Sequence, residues 1–281
     1  AAFIGGVNST SCTLSGKDFV IPVSGTMAHS WVQMFDDEYT AFKTYCELYP
    51  DNATLLVDTY NVLHSGIPNA IKAFTECNIK KCAVRIDSGD IAYLTKKVRK
   101  MLDDAGYPDC GICASNSLDE YIIRDTLMQG AEIASFGVGE RLITARSEPV
   151  FGGVYKLAAI KRDGEFIPKI KLSENIEKVT NPGNKTVYRI YDNETGKIKA
   201  DLICLVEETF DTSKDLKLFD PSAPWKKTTL PGGSYTMREL LIPVVKEGQV
   251  VYHSPKVMEI RDYCTKEKKT LWNETKRFAN S

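Results

Sequence analysis

His29, Arg85 and Asp87 are the side chains of this sequence whose chemistry most needs a purpose. An imidazole can serve as nucleophile, acid, base or metal ligand. His29 follows a Gly25-Thr26 turn at the end of the apolar run Val20–Ser24, and that setting favours a chemical role over a hydrogen-bonded structural one. His64 and His253 have no such setting and are read as structural. In Arg85-Ile-Asp87 the two charges fall on one side of a strand, by the period of two. If that side faces an interior, they must pair with each other or meet a ligand. Asp90, three residues on, reads equally well as a helix cap.

The same pattern recurs along the first half of the chain. Apolar runs end in polar groups: Asp58-Thr59, then Asp87-Ser88-Gly89-Asp90, then Ser115-Asn116-Ser117, then Gly137-Val138-Gly139-Glu140-Arg141. A strand buried in a core needs no charge at its end, so stability alone does not account for the repetition. The Gly137-Val138-Gly139 turn lets backbone N–H groups approach a phosphate, and Ser115 and Asn116 could share it; two tight turns are the plain alternative.

These endings imply the elements that carry them. Strands are expected at Phe3–Gly6, Val20–Ser24, Thr54–Asp58, Cys82–Asp87, Gly111–Ser115, Ile133–Gly137 and Val154–Ile160. Each is short and apolar, as strands buried on both faces are. Between them run amphipathic helices, one with the stripe Ile91, Leu94, Val98, Met101 and Leu102. Ser117-x-x-Glu120 reads as a capping box, Gly130 as a helix stop, and Ser65 with Pro68 as a helix start. Roughly seven strands alternating with helices favour an α/β fold closed into a (β/α) barrel, with the site at the carboxyl ends of the strands. No G-x-G-x-x-G turn follows an early strand, as an open dinucleotide-binding sheet would require.

Past residue 160 the texture turns antiparallel. Lys161–Pro168 reads as a hairpin about Asp163-Gly164, and Asn181-Pro182-Gly183 as a turn. Val187–Asp192 and Ala200–Val206 pair across Asn193–Gly196, and Leu240–Val245 with Val250–His253 across Glu247-Gly248. A charged amphipathic helix from Pro255 to Phe278 ends the chain. The expected division is a barrel over residues 1–165 with part of 166–185, then a smaller β-rich domain with a C-terminal helix over 186–281.

The 281 residues are 43% hydrophobic and 26% charged with a net charge of −1, a globular composition without the charge excess of a polyanion-binding surface. There is no apolar run long enough for a membrane span. The start lacks the basic region and apolar core of a signal peptide, so a cytoplasmic location is expected. The eight Cys are read as reduced thiols, and Cys110-x-x-Cys113 alone is a weak metal motif.

Together, Gly25-Thr-Met-Ala-His29-Ser-Trp31, Leu56-Val-Asp58-Thr-Tyr60, Val84-Arg85-Ile-Asp87-Ser-Gly-Asp90 and Phe136-Gly-Val-Gly139 resemble the nicotinate phosphoribosyltransferases. So do Gly153-Val-Tyr-Lys-Leu157, Lys171-Leu-Ser-Glu-Asn175 and the tail Tyr263–Phe278 with Leu271-Trp272. The resemblance implies a type II phosphoribosyltransferase barrel that joins nicotinate to phosphoribosyl pyrophosphate, coupled to ATP hydrolysis, with Mg²⁺ accompanying the phosphates. It implies that His29 is phosphorylated by ATP, and that Arg85 and Asp87 meet the ribose and pyrophosphate, with Thr26 and Ser88 beside them. Ser115, Asn116, Gly137 and Gly139 would hold the 5′-phosphate. Asn8, Ser9, Thr10 and Ser11 would lie by the pyridine ring, with Asp58 and Thr59 at the same mouth. No protein metal ligand is assigned.

The family also carries an amino-terminal domain absent from this chain, and a second subunit completes its site, so a homodimer and a missing N-terminal segment are implied. Nucleic acid and membrane are not expected as partners. Nicotinamide in place of nicotinate stays open, as does a catalytically inactive barrel that only binds. A quinolinate enzyme would not need His29. A Schiff-base aldolase would need a Lys at a barrel-strand end, and none stands there before residue 156.

Overall fold

The computed structural model describes residues 1–174 and 179–277; Asn175 and Phe278 of the family motifs lie outside the described residues. The chain forms two compact units, Asn8–Phe151 and Phe3–Val7 with Gly152–Ser281. A short helix, α1 (Ala2–Gly5), opens the chain where Phe3–Gly6 had been expected as a strand. Four apolar residues cannot distinguish helix from strand by periodicity. Here Phe3 is buried with the Arg261 guanidinium 4.2 Å from its ring centroid, a contact from the far end of the sequence.

In the unit Asn8–Phe151 the order is α2 (Thr13–Phe19), α3 (His29–Gln33), α4 (Glu38–Leu48), β1 (Ala53–Leu56), α5 (Ile67–Glu76), β2 (Cys82–Ile86), α6 (Ile91–Asp104), β3 (Gly111–Ser115), α7 (Glu120–Met128), β4 (Ser135–Gly137) and α8 (Glu140–Ile143). The strands form one parallel sheet in the order β1-β2-β3-β4. Leu55, Leu56, Val57, Val84, Ile86, Phe42, Phe74, Val98 and Leu102 are fully buried in its core. Burying each such side chain contributes about 1.5–3 kcal/mol. Because the strands are parallel, their carboxyl ends emerge together, with Leu56 beside Arg85 and Ser115 beside Gly137.

Two further expected strands do not enter the parallel sheet. Val20–Ser24 makes a single bridge, Thr10 to Val23, because Val20 is the left-handed cap of α2 (φ 56°) and Pro22 has no N–H to pair. Val154–Ile160 does not join the parallel sheet: Val154 and Tyr155 are exposed, and the strand begins at Ala159. The capping-box reading of Ser117 also fails. Asp119 caps α7, accepting from the N–H groups of Tyr121 (3.1 Å) and Ile122 (2.9 Å). Asp90 caps α6 through Tyr93 N–H at 3.0 Å, and Gly130 follows α7 with φ 76°, as a helix stop should. Ahead of α5 lies one π-turn, Val62–Gly66, begun by Asn61, whose side chain accepts from His64 N–H at 2.9 Å.

In the other unit β5 (Ala159–Arg162) and β6 (Glu165–Pro168) form the expected hairpin, with positive φ at Asp163 and Gly164. β7 (Lys185–Asp192) and β8 (Ile198–Leu205) pair as expected. Three strands were not anticipated: β9 (Leu216–Asp220), β10 (Ala223–Leu230) and β11 (Tyr235–Glu239). β11 joins β7 in an antiparallel sheet ordered β11-β7-β8, while β9 pairs with β10. The later hairpin shrinks to β12 (Val245–Lys246) and β13 (Gln249–Val250) about Glu247-Gly248. The terminal helix α9 (Val257–Thr270) is shorter than expected, with a 3-10 turn at Glu274–Lys276 beyond it. Glu267 on α9 accepts two bonds from Arg238 of β11, at 2.9 and 2.6 Å.

Candidate active site

Three strand ends and one preceding segment, residues 26–29, converge in the unit Asn8–Phe151. Arg85, near the end of β2, spreads its guanidinium across the others. Its Nε donates to Ser115 Oγ (2.9 Å), Nη1 to Thr26 Oγ1 (2.8 Å), and Nη2 to Asp87 Oδ1 (3.0 Å). The planar fork fixes all three directions at once, which a lysine could not do. Asp87 also accepts from Ser115 Oγ. The expected same-side placement of Arg85 and Asp87 is thus an ion pair, about a quarter exposed on each side.

Asp58 lies beneath, its side chain only 2% exposed. Its Oδ2 accepts from the backbone N–H of Asp87 (3.0 Å) and from Ser88 Oγ (2.6 Å). Its Oδ1 is buried without a hydrogen-bond partner. An unsatisfied carboxylate oxygen of this kind costs about 1–3 kcal/mol or more, a cost a core would not carry without a use.

His29 begins α3 and faces both carboxylates. Its Nδ1 lies 3.1 Å from Thr59 Oγ1, and its Nε2 lies 3.9 Å from Asp58 Oδ1 and 3.8 Å from Asp87 Oδ2. The imidazole is 39% exposed, so one ring edge is held while a reagent can still reach it. Thr59 at Nδ1 and the two carboxylates beside Nε2 orient the ring.

The remaining sequence-predicted residues sit around this cluster in different ways. Gly137 stands beside Ser115 in the sheet, and a Cβ built there would lie 3.3 Å from Ser115 Cβ, so the glycine is what the close approach allows. Asn116 and Ser117 both have positive φ (89° and 50°), turning the chain sharply off the end of β3. Successive left-handed residues are rare in non-glycine chains and gather at functional turns. Gly139 caps α8 with open space around it. Thr10 N–H donates to Pro22 O and Ser24 N–H to Thr10 O, both at 3.0 Å, laying the Asn8–Ser11 segment along residues 22–24. No side-chain hydrogen bond among the described residues ties Asn8, Ser9 or Ser11 to the His29 cluster. One pair escaped the sequence reading: Arg141 Nη1 donates to Asp119, fastening α8 to the cap of α7. An Asp ahead of a helix and an Arg in the Gly-rich turn were the available signals.

Burial raises the Asp87 carboxyl, but the Ser115 hydroxyl and the Arg85 guanidinium outweigh it and hold the group below its ordinary 3.8. A depressed folded value contributes stability that is fully present above the unfolded pKa and is lost as pH falls through the folded one. The stability gap between wild type and Asp87→Asn is therefore expected to be largest near neutrality and to narrow below about pH 4. Urea unfolding at a series of pH values measures it, and a gap constant across that range would sever the carboxylate's charge from the fold.

No group of three or more His, Cys, Asp or Glu suited to a metal ion occurs among the described residues, and no helix there is long and apolar enough to cross a membrane.

Residues 184–281 match the model of the nicotinate phosphoribosyltransferase C-terminal domain. Over 281 residues the chain is 44% identical to nicotinate phosphoribosyltransferase of Bacillus subtilis, covering 99% of this chain and 57% of that protein. The enzyme of the same name from Caenorhabditis elegans is 29% identical over 99% of this chain and 59% of its own length. In structure the chain resembles human nicotinic acid phosphoribosyltransferase, with a TM-score of 0.74 at 24% identity over 99% of this chain and 62% of that one. It also shares its fold with a nicotinate-nucleotide pyrophosphorylase from Pyrococcus furiosus, TM-score 0.67 over 96% of this chain and 60% of that one. The chain spans a little over half the length of the curated relatives it matches. A mixed α/β unit with a parallel sheet, a likeness in order along nearly all of the sequence and the matched C-terminal region agree: this chain belongs to the nicotinate phosphoribosyltransferase family.

Proposed function

We propose that the protein containing this chain transfers phosphoribosyl from phosphoribosyl pyrophosphate to nicotinate, coupled to ATP hydrolysis, and yields nicotinate mononucleotide for NAD salvage. The observation that carries the reading is the convergence of His29, Asp58, Asp87 and Arg85 at the carboxyl ends of parallel strands. The transfer separates charge: pyrophosphate leaves and the anomeric carbon becomes electron-poor. Arg85, already oriented by three partners, stabilises the leaving oxygens, and Asp87 stabilises the cationic carbon; such preorganised charge commonly supplies the greater part of a rate enhancement. The pyridine nitrogen attacks without losing a proton, so no general base is required.

His29, oriented by Thr59 and flanked by the two carboxylates, accepts the phosphoryl group of ATP. Ser115, Asn116, Gly137 and Gly139 hold the 5′-phosphate, with Thr26 and Ser88 completing the ribose-pyrophosphate side and the Asn8–Ser11 loop the pyridine side. Magnesium, when bound, would neutralise phosphate charge; Asp58 Oδ1, buried and without a hydrogen-bond partner, with Asp87 suits a hard cation that takes most of its oxygens from substrate and water. The parallel sheet is read as part of a closed barrel spanning 1–165 and part of 166–185, with 186–281 as the smaller domain and a second copy of the protein completing the site in a cytoplasmic homodimer.

The test is product identification by mass spectrometry with the full-length protein, phosphoribosyl pyrophosphate and Mg²⁺, with nicotinate, nicotinamide and quinolinate supplied in separate reactions, because quinolinate on losing CO₂ gives the same mononucleotide as nicotinate, each with and without ATP. Nicotinate mononucleotide, increased by ATP, is expected. Nicotinamide mononucleotide would replace the substrate, and no mononucleotide from any base would leave only a binding role.

A further inference from the structure

Away from the site, four thiols gather toward the amino ends of the strands in two neighbouring pairs: Cys46 beside Cys77, and Cys82 beside Cys110. We propose that Cys82 and Cys110 are a reversible dithiol–disulfide pair that joins the start of β2 to the start of β3, with Cys82 as the thiol that meets the oxidant.

The sheet register places the two residues side by side. Ala83 is laterally paired with Gly111, so Cys82, which opens β2, and Cys110, which immediately precedes β3, are neighbours on one face. A Cβ built on Gly111 would lie 3.5 Å from Ala83 Cβ, which shows how closely lateral side chains approach here. A disulfide spans Cβ atoms about 3.5–4.5 Å apart. Cys113 is the other thiol of the C-x-x-C motif, but it stands beside Arg85, three residues and about 10 Å further along the strands.

The two pairs differ in chemistry. Burial pushes Cys46 up to about 12 and raises Cys77, so neither offers a thiolate. Cys82 is different: the hydrogen bond from Cys110 lowers it, burial opposes, and the nearby Arg99 guanidinium lowers it further. Arg99 is fixed there by the carbonyls of Cys110 (2.7 Å) and Tyr107 (2.6 Å). Cys82 is partly exposed, whereas Cys110 is 2% exposed, so a small oxidant meets Cys82 first.

With hydrogen peroxide the step balances. The Cys82 thiolate attacks one peroxide oxygen, the O–O bond breaks, and hydroxide leaves, giving the sulfenic acid. The Cys110 thiol then loses the partner that held its proton. Its sulfur attacks Cys82 Sγ, the S–S bond forms, the S–O bond breaks, and water carries away the hydroxyl with the Cys110 proton. Two thiols and one peroxide give one disulfide and two waters.

The experiment treats the full-length protein with hydrogen peroxide and maps tryptic peptides without reduction. Expected is a cross-linked species joining the Cys82–Arg85 peptide to Met101–Arg124, lighter by two hydrogens, with fragment ions assigning Cys110. Iodoacetamide labelling of Cys82 should fall roughly tenfold on peroxide treatment and return with dithiothreitol. Cys113→Ser should keep the cross-link, and Cys110→Ala should leave Cys82 to progress to the sulfinic acid. Sulfinic acid at Cys82 of the wild type without a cross-link, or a cross-link to Cys113 or Cys46, overturns the proposal; this wild-type result depends on no variant folding.

Discussion

His29→Ala is expected to abolish phosphorylation of the protein by ATP and to remove the whole of the ATP-dependent rise in product formation. The loss should be on the order of 10²-fold or more, the scale on which a single positioned proton-transfer or nucleophilic side chain acts. The geometry makes the prediction specific. The imidazole is more than a third exposed, so a phosphoryl group can reach it, while Thr59 and two carboxylates fix its rotation. The same exposure means that truncation removes little buried surface, so the variant should unfold close to the wild-type temperature. Incubation of the full-length protein with γ-³²P-ATP should give a label stable in base and lost in acid, as a phosphoramidate is. His64→Ala and His253→Ala should retain it. Label on His29→Ala, or unchanged ATP stimulation, would take His29 out of the coupling step.

How much of this was readable in the residues depends on where each element finds its partners. β1 to β3 were legible because their apolar residues are buried and polar groups cut them off: Leu55-Leu56-Val57 is a fully buried run, and Val84 and Ile86 are buried on either side of Arg85. The period of two placed Arg85 and Asp87 together, and the structure adds the ion pair. What could not be read were contacts that depend on strand order. Ser115 meets both Arg85 and Asp87 only because β3 lies beside β2, and Ser88 reaches Asp58 only because β2 lies beside β1. β10 was missed for a different reason. Its interior from Pro224 to Thr229 is exposed, so no alternation of apolar residues marks it, and only its end residue Leu230 joins Leu216 and Leu218 of β9 in a small core. Phe3–Gly6 and Val20–Ser24 failed in the opposite sense, apolar residues without a sheet to enter.

Gly66→Ala should be the most damaging small substitution in the site-bearing unit. Gly66 ends the π-turn and sits against the strand end that leads to Asp58. A Cβ added there would lie 1.9 Å from the carbonyl oxygen of Val57 and 2.9 Å from Val57 Cβ. Neither neighbour is the free end of a flexible chain: one is backbone, and Val57 is fully buried. The φ of Gly66 is −56°, ordinary for any residue, so the cost is wholly steric rather than conformational. Overpacking of this kind costs about 3 kcal/mol or more, and the unfolding midpoint should fall by roughly 5 °C or more. Gly106→Ala separates the two causes. Gly106 has φ +84° with nothing within 4 Å of an added Cβ, so only the left-handed backbone is penalised, at about 1–2 kcal/mol. Relief of the clash at Gly66 must displace Val57, and with it Asp58, whose Oδ2 holds the Asp87 N–H and the Ser88 hydroxyl. Activity of Gly66→Ala at a temperature where it is still folded should therefore fall well below that of Gly106→Ala, as parallel thermal melts and initial rates would measure. Equal melting points for the two variants would mean that the π-turn yields without moving the strand, and the link from Gly66 to Asp58 would then be cut.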